Sequence, residues 1–330
     1  MSAKSPNRIY GLLAIATTLL FATLDLCWDL PLQTSLAQWL GSDVFYEFRF
    51  PRVFGAILGG ISLAWSGQMM QTLFRNPLAG PFLIGITPGA SFGIAILTFL
   101  GGTLQFSLGS AYSPSLPMAA LVGALAVMGL QWQLHKKWND LNTLLLGGLI
   151  LGYFFSAAID ILQRWGEANQ LKFYTMWGQG SFDRLDVAQL NPLAAVAIIG
   201  GVILYAKRFH FNNYLLGDIH VESAGSNLKT LRKELMVGSA VMAAITTAYC
   251  GPISFVGIIA PHLAKMLTKT EAHEKNMALT ALFGAALTVA ADFISHYAIP
   301  NFTLPLNAVL SIIGAPIVMV ILLTPTSQRG

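Results

Sequence analysis

Arg49 and Arg52 stand three residues apart in Arg49-Phe50-Pro51-Arg52, just before a long apolar run. On a helix that spacing puts both guanidinium groups on one face. A guanidinium fork matches a carboxylate through two parallel hydrogen bonds, and it also suits snorkelling toward lipid headgroups. Asp292 is the acid that lies well inside an apolar run. A charge buried in a membrane is costly, so such a residue is a functional candidate. For Asp292 a hydrogen-bonding or helix-capping role is read ahead of proton coupling. His262 follows Pro261 without a second ligand at helical spacing, which favours a structural role over metal binding. Asp160 and Arg164, four apart, read as a local ion pair.

Catalytic signatures are missing. The sequence holds no H-E-x-x-H, no G-x-S-x-G and no GxxxxGK[ST]. Gly225-Ser226-Asn227-Leu228-Lys229-Thr230 has the outline of a phosphate loop but lacks the second glycine before its lysine. Cys27 and Cys250 show no metal spacing and no reason to pair. The chain is therefore expected not to be an enzyme, to bind no metal and to hold no cofactor of its own. Any ATP would belong to a partner.

The elements that position these residues follow from composition. Apolar residues make up 55% of the 330 and charged residues 10%, with mean hydropathy +0.62. A soluble domain carries about 25% charge. A soluble fold could not hide this much apolar surface, whereas a bilayer solvates it. The runs are continuous rather than alternating, which selects helices of about 20 residues over barrel strands. The net charge of +4 does not suggest nucleic acid. We read an all-α polytopic membrane protein forming one domain over 1–330. Its spans are expected at 9–27, 50–73, 84–100, 116–134, 142–162, 190–206, 236–250, 252–267, 277–297 and 304–323. The seventh and eighth form one apolar stretch broken at Gly251-Pro252, and could instead be one bent helix plus a short one. Leu24-Asp25-Leu26-Cys27 resembles a lipoprotein cleavage box, but Leu26 is too large for one, so the first helix is read as uncleaved.

Ten spans place both termini on one side. With the termini in the cytoplasm, Arg49, Arg52, Arg164, Lys172 and Arg184 are outside, and the other fourteen of the nineteen Lys and Arg residues are inside. That is the asymmetry of the positive-inside rule. The halves look related and inverted. Arg75-Asn76-Pro77-Leu78-Ala79-Gly80-Pro81 interrupts the chain after the second span, and Gly251-Pro252, with Gly257 and Pro261 beyond, does so after the seventh. Paired Gly/Pro breaks at corresponding places point to a transport pathway between repeats. Gly55, Gly59, Gly60 and Gly67 cluster on the second span, and Gly55 with Gly59 reads as a small-xxx-small pair for close packing within the chain.

These motifs together resemble one family. Arg49-Phe50-Pro51-Arg52 leads into Ser66-Gly67-Gln68-Met69-Met70-Gln71, then Asn76-Pro77-Leu78-Ala79-Gly80-Pro81, Leu83-Ile84-Gly85-Ile86 and Gly89-Ala90. Gly251-Pro252-Ile253-Ser254-Phe255-Val256-Gly257, Ala260-Pro261-His262, Ala291-Asp292, Leu304-Pro305 and Gly314-Ala315-Pro316 follow in order. The pattern, spread over about 45–323, resembles the FecCD/BtuC-type permeases of ABC importers for iron-siderophores, haem and vitamin B12.

The resemblance implies ten helices per subunit and a second copy of the chain. It also implies cytoplasmic ATP-binding cassette subunits and an external substrate-binding protein at a bacterial plasma (inner) membrane. It implies an iron chelate (siderophore or haem) as substrate, with vitamin B12 as the alternative. An ion-coupled secondary transporter is the weaker alternative, since only Asp292 is a candidate acid. Arg49 and Arg52 would receive carboxylates of the binding protein. His296 stands where the family shows a further arginine, which would either weaken docking or make it pH-sensitive. The stretch 207–235 would be the cytoplasmic coupling loop, with Leu216, Gly217, Asp218, Glu222 and Gly225 at the ATPase. Met69, Met70, Gln71, Asn76, Pro77, Gly80, Pro81, Gly85, Gly89, Gly251, Pro252, Gly257 and Pro261 would line or hinge the pathway. Asp292 would be a structural buried acid.

Overall fold

The computed structural model describes residues 6–27, 40–101, 115–138 and 140–323. Among the described residues there are thirteen α-helices and no strands. They are α1 (Pro6–Cys27), α2 (Phe50–Phe74), α3 (Ile86–Leu100), α4 (Ser115–Trp138), α5 (Leu141–Arg164), α6 (Ala168–Gly178) and α7 (Leu190–Ala206). Then come α8 (Arg208–Leu215), α9 (Asp218–Ser223), α10 (Leu228–Cys250), α11 (Val256–Thr268), α12 (His273–Tyr297) and α13 (Leu306–Leu323). A π-helical turn (Val44–Arg49) runs directly into α2, and a 3-10 turn (Pro81–Ile84) precedes α3.

Among the described residues five helices are long and apolar enough to cross a membrane by length and composition alone: Val44–Phe74, Ser115–Leu134, Leu141–Arg164, His273–Tyr297 and Leu306–Leu323. The apolar helices at α3 and α11 are shorter because each begins only after a break in the chain. Helix α7 bends by 63° into α8. The stretch 207–235, expected as a coupling loop, carries the short helices α8 and α9, and α10 already begins at Leu228. Asn227 sets that start, its Oδ1 accepting from the N–H groups of Lys229 (3.0 Å) and Thr230 (3.2 Å). The stretch around Gly251-Pro252 separates two helices rather than bending one, and α11 begins at Val256.

Helix α2 is the hub. It runs antiparallel to α12, and the two meet at four-residue steps: Arg52 with Asp292, Ala56 with Thr288, Gly60 with Gly284. A Cβ on Gly60 would lie 2.5 Å from the Gly284 carbonyl oxygen, so the backbones touch there. Helix α2 also runs antiparallel to α10, through Gly59 with Thr246, Ser66 with Ser239 and Met69 with Gly238. The expected Gly55/Gly59 pair does pack within the chain, against side chains rather than a facing backbone. Gly55 makes room for Leu185, and Gly59 for Phe182 and Thr246, so both seat the 179–189 segment as well as a helix.

The two halves are inverted. Each presents a long helix, a break turned by a glycine of positive φ, and a short helix: α2, Gly85 (φ +77°), α3; then α10, Gly251 (φ +74°), α11. Because α2 and α10 are antiparallel, the breaks fall toward opposite faces. We refer to them as the Arg52 face and the 207–227 face.

Substitution should expose the tight seam. A Cβ on Gly67 would lie 1.7 Å from the Gly257 carbonyl oxygen of α11, whereas Gly129 faces open space. Gly67→Ala is expected to cost about 1–3 kcal/mol through forced helix separation. Gly129→Ala should leave stability unchanged or raised. Thermal unfolding in detergent checks the pair.

Candidate functional site

At the Arg52 face, the first turn of α2 draws together groups from four elements. Arg52 is ion-paired with Asp25 of α1, with Asp292 of α12 (Nε to Oδ2, 3.2 Å) and, more loosely, with Asp183 of the 179–189 segment (3.7 Å). The Tyr297 hydroxyl accepts from Arg49 (2.9 Å) and Arg52 (3.1 Å) and donates to Asp25 (3.3 Å). Arg49 also donates to the Asp25 carbonyl at 2.6 Å. His296 lies one helical turn beyond Asp292. Its Nδ1 faces the Asp292 carbonyl oxygen (2.8 Å), and its Nε2 faces the Asp183 carboxylate (2.9 Å). Both ring nitrogens therefore meet acceptors, the arrangement of an imidazolium. Three cations (Arg49, Arg52, His296) then balance three carboxylates (Asp25, Asp183, Asp292).

This changes the expectation for docking. The Arg52 and His296 side chains are only 12% and 14% exposed, and their charges face acids of the same chain. The reason is energetic: Asp25 and Asp292 are buried, and unpaired buried charges are expensive. Carboxylates from outside would have to exchange with Asp183 to reach these two cations. Asp183 is half exposed. Desolvation alone would push its carboxyl up, but the hydrogen bond and charge of His296, then Arg52 and Ser181, hold it below the usual carboxylate range. Asp25, Asp183 and Tyr297 were not singled out from sequence. Asp25 carried a signal, an acid within an apolar run. Among the described residues no ion pair joins Asp160 to Arg164.

The two breaks are braced rather than loose. Arg75 ends α2 at φ +47°. Asn76 Oδ1 accepts from the Leu78 N–H (2.9 Å), and Gln71 Nε2 donates to the carbonyls of Pro77 (2.8 Å) and Ile258 (3.1 Å). Gly80 and Pro81 are buried, Gly85 turns the chain into α3, and Gly89 packs on Gly123 and Val127 of α4. At the second break Gly251 packs on Trp177 and Gly180, Phe255 takes φ +65°, and Gly257 meets Gly67. Pro261 sits buried inside α11. Asn307 of α13, another residue not foreseen, stitches this break. Its Oδ1 accepts from the Ser254 N–H (3.0 Å), and its Nδ2 donates to the Pro252 carbonyl (2.8 Å). Met69 and Met70 do not line an opening. Both are fully buried in the core, because α2 is surrounded by α10, α11 and α12.

At the 207–227 face, α8 and α9 form a platform. Gly217 adopts φ +121°, a conformation that excludes side chains, and aims Asp218 into the first turn of α9. The Asp218 carboxylate is held by Arg75 (2.5 Å) and Arg232 (2.9 Å). Leu216 and Ile219 are 67% and 79% exposed beside it, Glu222 and Gly225 are exposed, and Val221 is buried. From sequence Arg232 is only one of the positive charges on one side, and Arg75 is that and the start of the first Gly/Pro break.

With both faces described, comparison with known proteins becomes specific. Residues 11–324 match the FecCD transport family. The chain belongs to that family. It is 29% identical over 299 residues to the hemin transport system permease protein HmuU of Yersinia pestis, covering 90% of this chain and 87% of that one. It is 30% identical over 332 residues to the vitamin B12 import system permease protein BtuC of Klebsiella pneumoniae, covering 97% and 94%. A solved structure described as a metal-chelate type ABC transporter in an inward-facing conformation superposes with TM-score 0.82 at 26% identity, covering 94% of this chain and 98% of that one. The fold is thus that of an ABC transporter permease, a membrane-embedded transporter component.

Two outcomes test the Arg52 cluster. Asp292→Ala is expected to cost about 3–5 kcal/mol, because it unbalances a buried pair; Asp160→Ala, at an exposed site, should stay within about 0.5 kcal/mol. Thermal unfolding compares them. Since Asp183 titrates below the usual value, its contribution is complete above about pH 3.9 and is lost as the pH falls through that lower value. Hydrogen exchange of residues 181–185, corrected for intrinsic rate, should therefore quicken as the pH falls below about 3.9.

Proposed function

We propose that this chain is the permease subunit of an ABC importer that takes up an iron chelate, a siderophore or haem, delivered by an external binding protein. A second copy of the chain would complete the pathway, and separate cytoplasmic ATPase subunits would drive it. The 207–227 face carries the lysine- and arginine-rich segments, which by the positive-inside rule supports a cytoplasmic position for it and for both termini. The protein then belongs in a bacterial plasma (inner) membrane, with the Arg52 face outside.

The observation that carries this reading is the platform. A chain without a nucleotide-binding loop presents two exposed apolar side chains, Leu216 and Ile219, on short helices pinned to the bundle through Asp218. Such a surface suits a protein partner, since exposed apolar groups on a polar, rigid base mark interaction sites. The substrate class is supported by the hemin permease relative and the metal-chelate transporter likeness. Vitamin B12 is the second reading, favoured by the BtuC relative. An ion-coupled carrier is disfavoured, because Asp25 and Asp292 are both paired with Arg52. Docking of the binding protein would start on Arg49 and proceed by exchange of its carboxylates for Asp183 on Arg52 and His296.

Reconstitution in proteoliposomes with the ATPase and binding protein tests this. ATP hydrolysis should rise when the binding protein carries hemin or a ferric siderophore, with uptake of the chelate. Preference for cobalamin would move the substrate to the second reading. Hydrolysis indifferent to any loaded binding protein would reject the importer. Leu216→Asp with Ile219→Asp should abolish ATPase association while leaving the thermal transition of the permease alone nearly unchanged, as expected for exposed positions.

A further inference from the structure

Helix α2 carries an arginine at each end. Arg52 sits in its first turn and Arg75 caps its last, a separation of about 35 Å along the axis. Arg75 does more than end the helix. Its Nε and Nη2 donate to the Tyr214 carbonyl (3.1 and 2.7 Å), Nη2 reaches Asp218 Oδ1 (2.5 Å), and its Cζ lies 4.5 Å from the Tyr214 ring centre. Arg232, in the second turn of α10, takes the other oxygen of the same carboxylate (Nη2 to Oδ2, 2.9 Å) and donates from Nε to the Tyr214 hydroxyl (3.3 Å). The Tyr214 hydroxyl in turn donates to the Leu73 carbonyl at 3.1 Å. One carboxylate on the platform thus ties both inverted halves, through α2 on one oxygen and α10 on the other.

We propose that Arg75 and Arg232 are positioning residues that convert displacement of the 207–227 platform into joint movement of α2 and α10, and so into rearrangement at the Arg52 face. This rests on the reading of the platform as the ATPase contact. The chemistry suits transmission rather than mere support. The Asp218 and Arg75 side chains are about two-fifths and one-third exposed, and an ion pair that exposed contributes little to folding, whereas Arg232 is buried and reaches the carboxylate from inside the bundle. Yet each is a directional, charge-assisted bond between otherwise separate elements. Gly217, at φ +121°, lets Asp218 point inward while Leu216 and Ile219 point out, so a push on the apolar pair is received by the carboxylate.

The test uses the full permease with its ATPase in nanodiscs of phosphatidylethanolamine and phosphatidylglycerol. The reporter is Val187→Cys, an exposed position in the 179–189 segment, in a Cys27→Ser background; Cys250 is buried. Its maleimide alkylation rate is read with and without ATP plus vanadate. The parent complex should change rate on trapping. Arg75→Gln with Arg232→Gln should still assemble and hydrolyse ATP, but the rate change should shrink by about tenfold, as expected for loss of a charge-assisted contact. Arg75→Lys with Arg232 intact should keep part of it. An undiminished rate change in the double variant overturns the proposal. So does loss of ATPase binding in the double variant alone, which would make the arginines a shape element only. Failure of the parent to bind any ATPase rejects the platform reading itself and this inference with it.

Discussion

Helix α2 has almost no surface of its own. From Val53 to Leu73 most of its residues are buried, and it touches α12 and α11 through bare backbone at Gly60–Gly284 and Gly67–Gly257. In lipid, helices gain little by hiding apolar side chains from one another, so close packing and internal polar contacts hold a bundle together. The glycines allow the close approach. Once the backbones touch, the short polar side chains reach across: Thr288 donates to the Ala56 carbonyl (2.7 Å), and Ser66 to the Ser239 carbonyl (2.8 Å). The remaining helices are arranged around that centre.

Polar groups follow the same economy. Charges that enter the bundle are gathered at the two ends of α2, where each finds opposite charge. The breaks that leave backbone groups unpaired are answered by amide side chains, Gln71 at one and Asn307 at the other. Irregular backbone inside a membrane protein is tolerated where protein satisfies it. Both breaks meet that condition, so the short helices α3 and α11 begin from defined positions.

What could be read in the sequence was what is local. Apolar runs, Gly/Pro breaks and the charge asymmetry are properties of contiguous segments, and the helices lie where those runs lie. The helix ends differ from the apolar runs where capping or a break decides them, as at Asn227 and Val256. The partners of Arg52 are up to 245 residues away, and no spacing rule connects Arg52 with Asp25, Asp183 and Tyr297. Asp25 was seen only as part of a cleavage-box outline. The methionines Met69 and Met70 looked like pathway lining because they stand in a motif, yet the side on which a helix is surrounded is a tertiary fact. Arg75 is legible as the start of a break and Arg232 as a charge on one side, but no spacing connects either with Asp218, 143 and 14 residues away.

The four-residue stepping of α2 against α12 has a mechanical consequence. Sliding α12 by one helical turn would bring Arg52 opposite Thr288 or push it past Asp292, and would set side chains against Gly60 and Gly284, where a Cβ has no room. The seam is a toothed rack with a single engaged position. Shear between these helices is therefore closed to the protein, and α2 and α12 travel as one beam. Any relative movement of the bundle has to be taken up outside the beam, at the breaks 75–85 after α2 and 251–255 between α10 and α11, as rotation about those pivots.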